Sequence, residues 1–443
     1  MIIELTIENF KSFLEAMTIG FAAGTTSQLP GNLLRHRNGE RFVKSMALYG
    51  LNACGKTTVL DALHALSSFV LFSSQDQKPT AKIPHFEPFA LDRSSSLKPA
   101  RVALVVDLEG DRYTLDVSAT ADRVWSETLR TQRVSKQPSR KATEKILIER
   151  RWDPDKRMYI TSLHEDLGTD LTRRSVLEQT PRNRLMLGKL SSMGHAVASR
   201  IMQWFDEDLQ FYDMHRNPYS EDAMLTTTAR LLRENPAFAE MVERLMRDAD
   251  TGIRRLRVVD EKVAEPVILE SGSKLEWKEG VRPGLSFQHA ARDGSETIFR
   301  RRQESSGTLR FVALIAAILH PSPRRRLICI DELSASMHPA LVRRLLRVVH
   351  GRTFNNAGNQ ILFTTHDTHL MNRLLRRDQI MICKKSRFGR SAARRLDEYQ
   401  DTARSDANLE KQYLDGRFGG VPQFGPTLED VPVDAEPLEL DPR

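Results

Sequence analysis

The sequence predicts an α/β fold built around one phosphate-binding loop, and three observations carry that expectation. Gly50-Leu51-Asn52-Ala53-Cys54-Gly55-Lys56-Thr57 fits the pattern G-x-x-x-x-G-K-[ST]. It lies between an apolar run, Phe42 to Tyr49, and a stretch with apolar residues at Val59, Leu60, Leu63, Leu66 and Val70. That order is strand, glycine loop, helix. Far downstream, Leu327-Ile328-Cys329-Ile330 runs into Asp331-Glu332, as a strand buried on both faces does when it ends in a pair of acids.

Composition bounds the rest. A chain of 443 residues has room for one large core or two to three smaller ones. Its 40% hydrophobic and 28% charged residues are those of a soluble globular protein. No stretch approaches about 18 uninterrupted apolar residues, so no membrane-spanning helix is expected. Met1-Ile2-Ile3-Glu4-Leu5 enters strand-like alternation at once, so no signal peptide is expected. Cys54, Cys329 and Cys383 have neither metal spacing nor a disulfide pattern, so a reducing cytoplasm is expected. The net charge of +8 fits contact with nucleic acid and an arginine-rich composition equally well.

Taken in order, Ile2 to Ile7, Met17 to Phe21 and Phe42 to Tyr49 read as strands, with the polar turn Glu8-Asn9-Phe10-Lys11-Ser12-Phe13 between the first two. The loop glycines let backbone N–H groups curl around a phosphate, and the following helix N-terminus favours an anion. Gly50, Asn52, Ala53, Cys54, Gly55, Lys56, Thr57 and Thr58 are therefore the candidate nucleotide-binding residues, with Lys56 reaching the β- and γ-phosphates. Residues 73–100, rich in Ser, Pro and Lys, read as loop. Arg101 to Leu108 and Arg112 to Ser118 alternate around Gly110-Asp111 as a hairpin, and Val124 to Arg133 and Lys145 to Trp152 extend an antiparallel sheet. Leu185 to Phe205 and Ala223 to Met246 show helical spacing, punctuated by Pro181, Pro218 and Pro236. They predict a helical insertion over 161–252 that lacks the sustained heptads of a long coiled coil. Asp206-Glu207-Asp208 reads as a solvated helix cap. Residues 253–300 read as short strands with turns at Ser271-Gly272, Pro283-Gly284 and Asp293-Gly294.

Asp331 is the second candidate Mg²⁺ ligand beside Thr57, and Glu332 the candidate base for an attacking water. Gln360 to Thr365 reads as another buried strand, ending at His366-Asp367, and Gln379 to Lys384 as the next. The basic run Lys384, Lys385, Arg387, Arg390, Arg394, Arg395 reads either as a phosphate-contacting surface or as a solvated face. The Pro-rich acidic residues 423–443 are expected to be disordered.

Asn9-Phe10-Lys11-Ser12-Phe13 together with the P-loop resembles the opening of the ABC-type ATPases of the chromosome-maintenance, RecF and overcoming-lysogenization-defect groups. Three further segments resemble the RloA/AbiL-type abortive-infection ATPases. They are Gly50-x-Asn52-Ala53-x-Gly55-Lys56-Thr57, Ser305-x-Gly307-Thr308-Leu309-Arg310, and Asn408-Leu409-Glu410-Lys411-Gln412-Tyr413-Leu414-Asp415-Gly416-Arg417-Phe418-Gly419-Gly420-Val421-Pro422. The resemblance implies an ABC-type ATPase head with a flanking antiparallel sheet and an inserted helical lid. The head would be divided as 1–160, 161–252 and 253–422. It makes Ser305, Ser306, Gly307 and Thr308 a signature turn facing the γ-phosphate of another protomer, although Thr308 stands where that turn usually has a second glycine. It makes His366 the switch histidine, puts His338 after the acid pair in a structural or interface role, and places Lys11 and Ser12 near the nucleotide. It implies ATP and Mg²⁺ as cofactors, ATP-dependent self-association, and a separately encoded effector such as a Toprim-like protein. Residues after His366 contain no Asp-x-Asp, so no nuclease activity is expected of this chain itself. A DNA-repair or chromosome-maintenance ATPase clamping duplex DNA, and an ATP-gated scaffold without catalysis, remain alternatives.

Overall fold

The computed structural model describes residues 1–75, 78–134, 143–212, 218–249, 252–268, 275–399 and 408–421. The chain opens with β1 (Ile2–Glu8), β2 (Met17–Gly20), β3 (Leu33–Arg35), β4 (Arg41–Val43), β5 (Ser45–Tyr49) and α1 (Lys56–Ser74). Next come β6 (Ala100–Leu108), β7 (Asp111–Thr120), β8 (Arg123–Arg133), β9 (Glu144–Asp153) and β10 (Met158–Leu163). The middle holds α2 (Asp170–Gln179), α3 (Met186–Ser192), α4 (Ala196–Gln203), β11 (Leu209–Tyr212), α5 (Pro218–Glu234) and α6 (Pro236–Arg247). Then follow β12 (Ile253–Ile268), β13 (Leu275–Ala290), β14 (Glu296–Arg300), α7 (Ser306–Ile318), β15 (Leu327–Ile330) and α8 (Pro339–His350). The last elements are β16 (Gln360–Thr364), α9 (Leu370–Arg373), β17 (Ile380–Lys385), β18 (Ser391–Arg395) and α10 (Leu409–Leu414).

Two large sheets organise these elements. One is antiparallel, in the order β10-β9-β8-β7-β6-β1-β2. The other runs β11-β15-β16-β5-β17-β18, parallel except for the last pair. Successive side chains of a strand point to opposite faces, and both faces of the second sheet are covered. Met46, Leu48, Leu327, Cys329 and Leu362 enter a core shared with the antiparallel sheet, α1, α3 and α4. Ala47, Tyr49, Ile328, Ile330, Ile361 and Phe363 enter a second core under α5 to α8 and the β12-β13-β14 sheet. That double burial explains the continuous apolar character of β5, β15 and β16.

Four expectations are corrected in detail. The run Phe42 to Tyr49 is two strands, because β4 pairs antiparallel with β3 while β5 pairs parallel with β16. The chain changes partner at Lys44, whose N–H donates to Asn32 O; an unbroken apolar run does not reveal a change of partner. Pro283-Gly284 is not a turn but lies inside β13, opposite Asp260 and Val259, and Gly284 leaves room for the Glu261 side chain crossing over it. Accordingly β12 and β13 are long strands, not short ones; the turn at Asp293-Gly294 is present, and Ser271-Gly272 lies outside the described residues. Asp208 is buried rather than a solvated cap, and Arg324 reaches both it and Glu207.

Within 161–252, β11 follows α2 to α4 and precedes α5 and α6 in the chain, and it joins the parallel sheet beside β15. Strand β10 crosses position 161. Residues 422–443, with the acidic tail, lie outside the described residues. Among the described residues no helix is long and apolar enough to cross a membrane.

Candidate functional site

The loop Gly50–Gly55 leaves the C-terminal end of β5 and delivers Lys56 to the first turn of α1. Gly50 has φ +143° and Gly55 φ +102°, conformations that side chains rarely adopt. A Cβ on Gly50 would also run into the Cys383 carbonyl oxygen. Asn52 and Ala53 stand exposed at the crown of the loop. Lys56 is 6% exposed and donates from Nζ to the carbonyls of Gly50 and Leu51, at 2.9 and 2.8 Å. The ammonium is thereby held inside the loop it serves.

Two parallel strands of the same sheet, β15 and β16, end beside it. Thr57 Oγ1 donates to the Asp331 carboxylate at 3.1 Å across 274 residues of sequence. Thr364 Oγ1, at the end of β16, donates to Asp331 Oδ1 at 2.6 Å and accepts from Glu332 N at 2.7 Å. Arg310, buried on α7, donates from Nη2 to the carbonyls of Asp331 and Glu332 at 2.9 and 2.6 Å. Glu332 itself has φ +48°. A left-handed backbone at a glutamate is strained; here Thr364 holds its N–H and Arg310 its C=O. The Glu332 side chain is exposed at the mouth of the site.

His366 follows β16 to the same mouth. Partial burial, then the Lys56 charge, lower its pKa, while the charges of Glu332 and Asp331 act in the opposite sense. All four groups thus lie within one electrostatic neighbourhood. Cys54 meets Cys383 behind the loop. A hydrogen bond with the Cys383 thiol, helped by the Lys56 charge and opposed by burial, brings the Cys54 pKa down to about 7; Cys383 is pushed well above the usual thiol range. Both cysteines are free.

Other residues singled out in the sequence fall around this centre. Ser12 Oγ donates to Thr58 Oγ1 at 3.3 Å, and its carbonyl accepts from Ser391 N at 2.7 Å. Lys11 instead pairs with Asp61 of α1 at 2.8 Å. Ser305 caps α7, accepting from Thr308 N at 3.1 Å. Ser305 and Ser306 are exposed, and Gly307 presses so closely on Ser336 that a Cβ would collide with its carbonyl oxygen. His338 caps α8 through Ala340 N. His369 pairs with Glu410 of α10 at 2.8 Å, away from the acid pair.

Three residues around this centre have no role that the sequence alone assigns. They are Arg310 and Thr364, described above, and Glu410, which accepts from Thr368 Oγ1 at 2.9 Å two residues after His366. Arg310 and Glu410 lie within the segments that carried the family resemblance; Thr364 had no signal beyond its place at the end of an apolar strand.

A glycine loop at the end of a parallel strand, facing an acid pair at the end of the next strand but one in the same sheet, defines a P-loop nucleotide-binding α/β protein. The profile of a family described as "AAA domain, putative AbiEii toxin, Type IV TA system" matches residues 45–372, and the chain belongs to that family. Among solved structures it is similar to the SMC head domain from Thermotoga maritima, at 13% identity and TM-score 0.40, covering 89% of this chain and 98% of that one. No curated protein matches it.

Proposed function

We propose that the chain is a Mg²⁺-dependent, ABC-type ATPase of the RloA/AbiL kind that regulates a separately encoded effector in anti-phage abortive infection. The observation that carries the ATPase reading is the Thr57–Asp331 contact beside Lys56, Glu332 and His366. A hydroxyl and a carboxylate beside a phosphate-binding loop are hard oxygen donors and suit Mg²⁺. Thr57 and Asp331 would hold the ion, which would supply positive charge against that developing on the transferred phosphoryl group.

The chain's own residues account for the remaining work. Lys56 would turn from the Gly50 and Leu51 carbonyls to the β- and γ-phosphates. Glu332, exposed at the mouth and fixed through its backbone by Thr364 and Arg310, would orient a water and take its proton. His366, its pKa lowered beside Lys56, would stay neutral and donate to the γ-phosphate. Ser305, Ser306, Gly307 and Thr308 would complete the site of another copy, giving an ATP-dependent dimer or higher assembly. The defence setting and a partner are supported by the description of the family, a putative AbiEii toxin of a type IV toxin–antitoxin system.

The test is the full-length purified chain with Mg²⁺ or Mn²⁺ and ATP. It should release phosphate and leave plasmid, linear DNA and tRNA intact. Absence of phosphate release at micromolar protein would overturn the ATPase reading. Nucleic-acid cleavage that disappears on substitution of a carboxylate in this chain would overturn the need for a separate effector.

A further inference from the structure

The strand ends opposite the P-loop hold a second concavity. It has a volume of about 500 Å³ and its lining includes Arg35, Arg41, Lys44, Arg325, Arg352 and Arg376, with no Asp or Glu. Of these six cations only Arg376 has a carboxylate partner among the described residues, Asp378, with both side chains fully buried. Elsewhere arginines are paired, as Arg101 is with Glu8 and Asp116, or Arg324 with Asp208. The unbalanced charge is therefore local and not a uniform consequence of composition.

The fold holds these charges together at a cost. Arg35 and Arg41 sit directly opposite each other in the β3–β4 pair, where like charges are destabilising. Lys44 is 3% exposed, and its Nζ donates to the carbonyl of His350 at 2.7 Å. Burial, then the neighbouring Arg352 charge, lower its pKa to about 8, so it remains mainly protonated at neutral pH. Arg41 and Arg325 donate to the backbone carbonyls of Gly24 and Ala357. A buried ammonium among guanidinium groups calls for an anion. The volume lies within the range of small-molecule sites, and Pro30, Leu33 and Leu34 supply an apolar wall.

We propose that this cavity binds a small phosphate-bearing molecule of nucleotide size, at a site separate from the P-loop. Guanidinium forks suit phosphate oxygens, and a volume of about 500 Å³ is that of a small-molecule site rather than of a groove tracking a nucleic-acid strand. Its position gives the ligand a hold on the catalytic sheet. Lys44 immediately precedes β5, Arg325 lies just before β15, and Gly358 just before β16. The far ends of the same three strands carry Gly50, Asp331 and Thr364.

The experiment is calorimetric titration of full-length Lys56→Ala protein, in which P-loop binding is weakened, with sodium tripolyphosphate at low and moderate salt. One tripolyphosphate should bind per chain, with affinity falling as salt rises. Adding Arg35→Ala and Arg352→Ala, both exposed positions, should weaken it at least about tenfold without changing the thermal melt. Lys44→Met should do the same where it folds. No binding at about millimolar tripolyphosphate, or binding indifferent to the two arginine substitutions, would overturn the proposal. So would a single-stranded oligonucleotide that binds these arginines at least about tenfold more tightly than tripolyphosphate. Because the comparison is made in the Lys56→Ala background, the result stands or falls independently of the ATPase reading.

Discussion

The P-loop centre and the turn that opens α7 are wired in opposite ways. In the first, the polar contacts span the chain: Thr57 to Asp331 over 274 residues, and Thr364 to Asp331 over 33. In the second they are local, with Ser305 bonded to Thr308 three residues on. The first arrangement fixes side chains around the nucleotide proposed for this chain. The second leaves Ser305 and Ser306 facing outward, while the Gly307–Ser336 contact fixes the turn relative to the acid pair. One region is preorganised inward and the other outward, the arrangement that the proposed sharing of a site between copies requires.

That contrast can be tested at several strengths. Glu332→Gln should lower kcat by roughly 10²–10⁴-fold, the usual range for a lost general base, yet keep ATP binding through Lys56, Thr57 and Asp331. With hydrolysis blocked, light scattering should report an ATP-dependent dimer or larger species; a monomer at saturating ATP would break the comparison. Lys56→Ala should weaken ATP binding by roughly 10- to 100-fold, the worth of a charged hydrogen-bond donor. Affinity within about twofold of wild type by calorimetry would remove Lys56 from the site.

Substitutions at the outward turn should behave differently. In the Glu332→Gln background, Ser306→Arg should abolish the ATP-induced assembly and leave nucleotide binding by the monomer in place. Gly307→Ala should cost about 1–3 kcal/mol in denaturant unfolding, because the new Cβ cannot coexist with the Ser336 carbonyl in its present place.

The smallest effect concerns the scaffold beneath the inward region. His350 Nε2 lies 2.9 Å from Ser45 Oγ at the start of β5. Burial, then the Lys44 charge, lower the His350 pKa to about 3. An unfolded histidine titrates near 6.5, so stability is fully present above that pH. It declines as pH falls from about 6.5 towards 3, by at most about 1.4 kcal/mol per unit, because only the unfolded chain then binds this proton. His350→Gln should flatten that part of the stability–pH curve; an unchanged slope would exclude His350 as its source.

The sequence makes visible what is local. The turns at Gly50 and Gly55 need residues that accept positive φ, so the loop announces itself. Alternation reveals β6 to β9 because each lies in an antiparallel sheet whose faces differ. What stays hidden depends on partners far away. Lys44 divides an apolar run because its two sides join different sheets. Strand β11 is four residues long and follows helical spacing, yet it lies beside β15, and its Tyr212 carbonyl accepts from Asp331 N at 3.1 Å. Arg310 and Thr364 acquire their roles only when α7, β15 and β16 meet. Their side-chain types alone do not distinguish them from many other residues.

The order of strands in the parallel sheet has a consequence for biosynthesis. Strand β5 is buried over all five residues, and both of its neighbours, β16 and β17, begin at residue 360 or later. At about 5–20 residues per second, a ribosome needs roughly 15 to 60 s to make the intervening chain. Throughout that interval the strand that carries the nucleotide loop has two unsatisfied edges and an apolar surface, a state prone to aggregation. The loop can therefore acquire its final geometry only near the end of synthesis, and a chain stopped before residue 360 would present its most conspicuous motif on a strand without neighbours.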